Sequence, residues 1–178
     1  MAKALSILKR LSREEPSITD LFDILAGEHD DRTAAIMGGA RVEHALEKRI
    51  ISFLRPLNND RRKRMFKGEG LLSSFSAKIQ LGFALSIYDQ PFANELNRVK
   101  EIRNAFAHAR KPITFKRKAV SDVCKSLRLP TIYPRDDGGP RTARSKFDLT
   151  VSMLVVAFTD AQPLEASWNR KELSLETT

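Results

Sequence analysis

The sequence predicts an all-α protein, a single-domain bundle of about six to eight helices. Apolar residues recur at three- and four-residue steps along most of the chain, whereas runs alternating with strand period are weak. Prolines, glycines and capping residues punctuate these runs at helix-length intervals. The chain of 178 residues is long enough to bury one core, and no internal repeat or low-complexity tract divides it.

Taken in order, Ala4 to Leu11 predicts an amphipathic turn or two, and Pro16-Ser-Ile-Thr-Asp opens a short helix over Leu21 to Ala26. The clearest element is Asp31 to Arg55. Ala35, Val42, Leu46, Ile50 and Leu54 mark one face of a long central helix that Pro56 and Asn58 end. Gly38-Gly39 within it is costly unless another helix crosses closely, and the same pair offers a twofold contact between copies, hence a possible homodimer. Gly68-Glu-Gly70 marks a sharp break, after which Ser73, Ser74 and Ser76 offer N-cap oxygens to a helix reaching Ile87. Pro91 suits the first turn of the next helix and Pro112 stops it. A short extended piece at Ile113 to Phe115 and a helix over Val120 to Leu127 follow. Three prolines and Gly138-Gly139 make Leu129 to Pro140 a loop, and Arg141 to Ala161 resumes helical spacing. This divides the chain into a helical extension (1–30), a helical domain (31–163) and a polar tail (164–178).

Composition excludes several classes of function. Cys124 is the only cysteine, so an internal disulfide and a cysteine-based zinc site are both ruled out. No run of 18 apolar residues exists, and MAKALSILKRLSREEPS does not read as a signal peptide, so the expectation is a cytoplasmic protein with no membrane contact. The formal net charge of +9 is unevenly placed. Residues 61–118 hold fourteen Lys and Arg against four Asp and Glu, while 1–60 hold nine against ten and 119–178 eight against eight. A basic segment of this kind is either a solvated face or the footprint of an anionic partner: RNA, DNA or an acidic protein. Its candidate contacts are Arg61, Arg62, Arg64, Arg110, Lys111, Lys116, Arg117 and Lys118.

The same segment contains IRNAFAHARKP, Ile102 to Pro112. Arg103 can hold a phosphate by paired hydrogen bonds, His108 can move a proton near neutral pH, and Asn104 can orient the pair. Five residues on a regular helix separate Arg103 from His108 by about 140°, so the two converge only if the last turn loosens before Pro112. The other reading is a helix end in which His108 caps free carbonyls and Arg103 pairs with Glu101 or Glu47. His44, among Arg41, Glu43 and Glu47, faces the same cleft or is half-buried against a carboxylate, with Glu47 behind the site. His29-Asp30-Asp31 reads as helix capping and not as a metal site, and no cofactor is expected. Gly68-Glu-Gly70 lacks the lysine and the preceding strand of a phosphate-binding loop.

Several stretches carry a family resemblance: DRTAAIMGGARVEHALEKRI (31–50), FKGEGLLSSFSAKIQLGFAL (66–85), VKEIRNAFAHA (99–109), ITF with VSDVCKSL (113–115, 120–127) and ARSKFDLTVSMLVVAF (143–158). In this order they resemble the landmarks of the mannitol operon repressor (MltR-like) family. The resemblance implies a compact helical transcriptional regulator that has no helix-turn-helix of its own and works through partners. Arg103, Asn104 and His108 also resemble the Arg-x4–6-His signature of HEPN domains, helical bundles that often dimerise. Many of those are metal-independent endoribonucleases and others only bind nucleic acid, so the resemblance implies either a binding module or, alternatively, a toxin-like ribonuclease. Two departures stand out: Leu71 replaces an expected proline, which predicts a looser turn, and Lys116, Arg117 and Lys118 replace an acidic stretch. The first thirty residues carry no resemblance.

Overall fold

Most helix starts are fixed by a side chain that satisfies amide groups the helix itself leaves free. The computed structural model describes residues 30–132 and 142–159. Asp30 Oδ1 accepts from the amides of Arg32 and Thr33 at 2.9 and 3.0 Å and starts α1, Asp31–Phe53. Asn58 Oδ1, 2.9 Å from the amide of Arg61, starts α2, Asn59–Phe66. Ser74 Oγ caps α3, Phe75–Ala84, through the amide of Ala77. Asp89 caps α4, Gln90–His108, with Pro91 in its first turn. The chain continues as α5, Lys118–Lys125, a single turn α6, Leu129–Ile132, and α7, Ala143–Thr159. Thr142 and Ser145 cap α7 reciprocally, each hydroxyl accepting the other's amide at 3.0 Å.

Around α1 the other long helices pack with defined directions. Arg32 meets Ala107 while Gly39 and Glu43 meet Arg103, so α4 runs antiparallel to α1. Asp31 meets Arg144 while Gly38 meets Phe147 and Val151, so α7 runs parallel to it. The two glycines make these crossings close. A Cβ at Gly38 would stand 3.1 Å from the Phe147 ring, and one at Gly39 would stand 2.6 Å from Cβ and Cγ of Arg103. The pair therefore serves contacts inside the chain and not the twofold contact that the sequence suggested for it.

Phe66, Phe106, Phe147, Leu46, Ile50, Leu96, Leu127 and Leu154 are fully buried between these helices. Phe115 links two helices by stacking between Phe106 and Phe147, with ring centroids at 4.9 and 5.3 Å. Tyr88, Phe92 and Phe158 form a second aromatic group at the other end of α4.

The all-helical prediction holds: seven helices and no strand are present among the described residues. Several local expectations are corrected. The long helix ends at Phe53, where Leu54 turns extended ahead of Pro56. Helix α2 was not expected, because NDRRKRMF has almost no apolar stripe; Phe66 anchors it, and eight residues would not hold a helix without such an anchor. Helix α3 stops at Ala84 instead of Ile87, since Ser86 takes a positive φ of 54° and swings Tyr88 back until its hydroxyl donates to the Ile79 carbonyl at 2.7 Å. Leu129 to Ile132, read as loop, is one helical turn. The loosened turn at Leu71 is also absent: the amides of Gly70, Leu72 and Ser73 donate to Lys67, Met65 and Gly70 at 2.8 to 3.0 Å. The helices expected before residue 30, His29 and the polar tail lie outside the described residues.

Candidate functional site

Glu43 and Glu47 lie one turn apart on α1, on the flank that faces α3 and α4. Lys78 of α3 points at both, its Nζ 2.8 Å from Glu43 Oε1 and 3.0 Å from Glu47 Oε2. Arg103 of α4 reaches the second oxygen of Glu43 at 3.3 Å. Arg62 and Lys67 approach Glu47 from solvent at 3.9 and 3.7 Å. Two carboxylates thus face four cations, which leaves the network with a surplus of positive charge towards its open side. That side is an open cleft of about 480 Å³ lined by Glu43, His44, Glu47, Lys67, Ser73, Ser74 and Lys78.

Arg103 sits where it does because Gly39 lets its aliphatic stem lie flat on α1. Its guanidinium then reaches Glu43, one turn further along that helix, and also donates to Asn104 Oδ1 at 2.9 Å. The expected pairing with Glu101 or Glu47 is not formed; Glu101 pairs with Lys100 at 3.1 Å. His108 is the last residue of α4 and is exposed, with no hydrogen bond among the described residues. Helix α4 stays regular to that residue, so Arg103 and His108 keep the separation of about 140° around its axis and the expected loosening is absent. Nor does His108 cap the helix: Arg32 Nη2 donates to the Ala107 carbonyl at 3.1 Å instead. His44 lines the cleft but is exposed, not half-buried.

The basic residues do not form one surface. Arg61 and Arg64 are exposed on α2, which joins α1 near Glu47, whereas Arg110, Lys111, Lys116, Arg117 and Lys118 flank Phe115, whose amide donates to Asp31 at the start of α1. Sixteen residues of helix separate Asp31 from Glu47, roughly 24 Å at 1.5 Å per residue. Lys118 is further engaged with Asp122 at 2.6 Å, and this exposed pair holds the lysine up and the aspartate down in pKa.

Sequence reasoning did not single out Lys78. The signal was present: position 78 is three residues after Phe75 and four before Gly82, both on the buried face of α3, so a lysine there has to meet a buried acid. Glu95 of α4 was missed in the same way. Its carboxylate accepts from the amides of Arg128 and Leu129 at 3.0 and 3.4 Å and from Arg98 at 2.7 Å, and burial raises its pKa against the lowering effect of those partners. Cys124 is buried, and desolvation pushes its thiol up to about 12, so it is not a nucleophile at neutral pH.

Six helices packed around a long central one, with an ion network on its flank, define an all-helical domain. Among solved structures, the X-ray structure of the MtlR–HPr complex from Escherichia coli matches with a TM-score of 0.62 over 79% of this chain and 96% of that one, at 14% sequence identity. At that identity the likeness shows the fold, which is the fold that the mannitol operon repressor resemblance implied. No protein-family model matches the sequence, and no curated protein does. Among the described residues no helix is long and apolar enough to cross a membrane.

Proposed function

We propose that the chain is a regulatory binding module of the MltR type, without a helix-turn-helix of its own, which acts by engaging a partner protein. The observation that carries this reading is the commitment of Arg103. Its guanidinium holds Glu43 and Asn104 within the network that ties α1 to α3 and α4, so its first task is to join helices. The solved structure of similar fold is a complex with HPr, which supports a protein in the partner's place.

One observation favours the alternative, a HEPN-type metal-independent endoribonuclease. His108 is exposed and without a hydrogen bond among the described residues, next to Arg110 and Lys111. In that reaction His108 takes the proton of an RNA 2′-hydroxyl while Arg103 stabilises the charge growing on the attacked phosphate, and a cyclic phosphate end is left. Arg103 would first have to leave Glu43.

Two measurements on the same preparation decide between the readings: calorimetric titration with Escherichia coli HPr, and incubation with a panel of RNAs in EDTA. Saturable binding with uncut RNA is expected. Metal-independent cleavage that falls about 10²-fold or more in both Arg103→Ala and His108→Ala, with the fold intact, would overturn the proposal in favour of the enzyme. Absence of any heat of binding removes HPr as the type of partner.

A further inference from the structure

Leu71 is 91% exposed, far more than any other large apolar side chain described. A single exposed leucine is ordinary on a protein surface and means nothing alone. What distinguishes this one is its frame. Gly68 takes a φ of +58°, a conformation that suits glycine, and Gly70 presses so closely on the end of α2 that a Cβ there would stand 2.4 and 2.5 Å from the carbonyl oxygens of Arg64 and Met65. Hydrogen bonds from Gly70 to Lys67, Leu72 to Met65 and Ser73 to Gly70 close the turn on both sides of residue 71. The leucine is therefore held outward by a rigid mount, and its side chain has little backbone freedom left to lose on binding.

The mount is strongly basic. Arg61, Lys63, Arg64 and Lys67 are all exposed on α2 or just after it, against the exposed acids Asp60 and Glu69. An apolar anchor beside the end of a cationic helix has the parts of a small protein-docking epitope: the anchor fills a pocket, while the cations steer the encounter and select the sign of the partner's charge. A nucleic acid would use the cations but offers an isolated aliphatic tip no comparable pocket.

We infer that Leu71 and the basic turn beneath it form a docking knob for an acidic protein surface carrying an apolar socket. This assignment rests on the partner-binding reading above and adds the surface and the chemistry of the partner. The knob adjoins the cleft, since Lys67 and Gly68 line the cleft wall, so a protein seated on Leu71 would also cover the entrance to the Glu43–Glu47–Lys78 network.

Photo-cross-linking in cells, followed by binding with the purified cross-linked protein, tests it. The reactive residue p-benzoylphenylalanine is placed at Leu71, at His44 in the cleft, and at Lys125 on α5 as the background control. We expect position 71 to trap an identified acidic protein above the Lys125 background. That protein, purified, should bind the wild-type chain, lose about tenfold in affinity to Leu71→Ala, and lose a similar factor to Arg61→Glu with Arg64→Glu at low salt only. Equal affinity for Leu71→Ala and wild type overturns the inference, as does a nucleic-acid adduct or a basic protein at position 71. Trapping of a protein at His44 but not at Leu71 sinks the knob and leaves the partner-binding module standing; no protein at either position sinks both.

Discussion

Lys78 and Glu47 bury each other's charge: Nζ lies 3.0 Å from Oε2, and the side chains are only 4% and 3% exposed. A pair this deep is costly to desolvate, and its partners decide whether it is tolerated. Removing one member should therefore hurt more than removing the pair. Lys78→Met, which leaves the buried Glu47 with only the longer contacts to Arg62 and Lys67, is expected to destabilise the fold by about 3–5 kcal/mol. Lys78→Met combined with Glu47→Leu should recover much of that loss. Urea unfolding of the three proteins measures it, and a double variant no better than the single one would contradict the account.

Gly39 and Arg103 supply a second prediction. Gly39→Ala gains helix propensity of about 1 kcal/mol in isolation. Here the new methyl meets Cβ and Cγ of Arg103 at 2.6 Å, and Cβ cannot rotate away. The helices must separate, so a net loss is expected despite the propensity gain, with overpacking costing about 1–3 kcal/mol. Because Cβ is retained, Arg103→Ala does not relieve the clash. A thermal melt that shows Gly39→Ala to be more stable than wild type would reject the close crossing.

Glu95 makes stability depend on pH in an unusual direction. Burial raises its folded pKa above the ordinary value of 4.5, so between those two values the folded chain binds more protons than the unfolded one. Its contribution is complete below the unfolded pKa and is lost as pH rises through the folded one. Other carboxylates act as well, so the informative quantity is the stability of wild type minus that of Glu95→Gln. That difference should decline as pH is raised above 4.5. A difference that grows with pH over the same range means that the amide and Arg98 bonds dominate over burial.

The divided basic surface bears on nucleic acid. We expect only electrostatic, sequence-indifferent affinity, with log K falling linearly against log salt. Lys118 is occupied by Asp122, so Lys116→Ala, Arg117→Ala and Lys118→Ala together should flatten the slope for duplex DNA by about two units instead of three. Filter binding over a salt series reads this directly. Strong discrimination between sequences that survives high salt would point to base readout, which these two separated groups are not built to make.

Much of the bundle was legible because its long helices carry their faces openly: Val42, Leu46 and Ile50 on α1 all prove buried, and Asp30, Ser74 and Asp89 cap where a capping residue precedes an apolar run. Helix α2 was illegible because its fold depends on one cap and one phenylalanine, Asn58 and Phe66, with charged residues between. The site was read only in part. Arg103 and Asn104 drew notice as chemical groups and prove to be bonded to each other, but their true counterpart, Glu43, is 60 residues away, and no local pattern selects it over Glu47 or Glu101. Lys78 went unseen because a lysine in a helix is normally solvated, and only the phase of its neighbours shows that it points inward.

The start of α1 is fastened by distant parts of the chain. Asp31 accepts from the amide of Phe115, 84 residues on, and from Arg144, 113 residues on. During synthesis at about 5–20 residues per second, the ribosome needs roughly 6–20 seconds after Asp31 to deliver Arg144. Until then Gly38 lacks Phe147 and Val151, and the flank of α1 that they cover is open to solvent or to a chaperone. The nascent chain thus passes through a window in which the segment of its central helix has been made before its cover, and a pause in translation between Phe115 and Arg144 would lengthen that window directly.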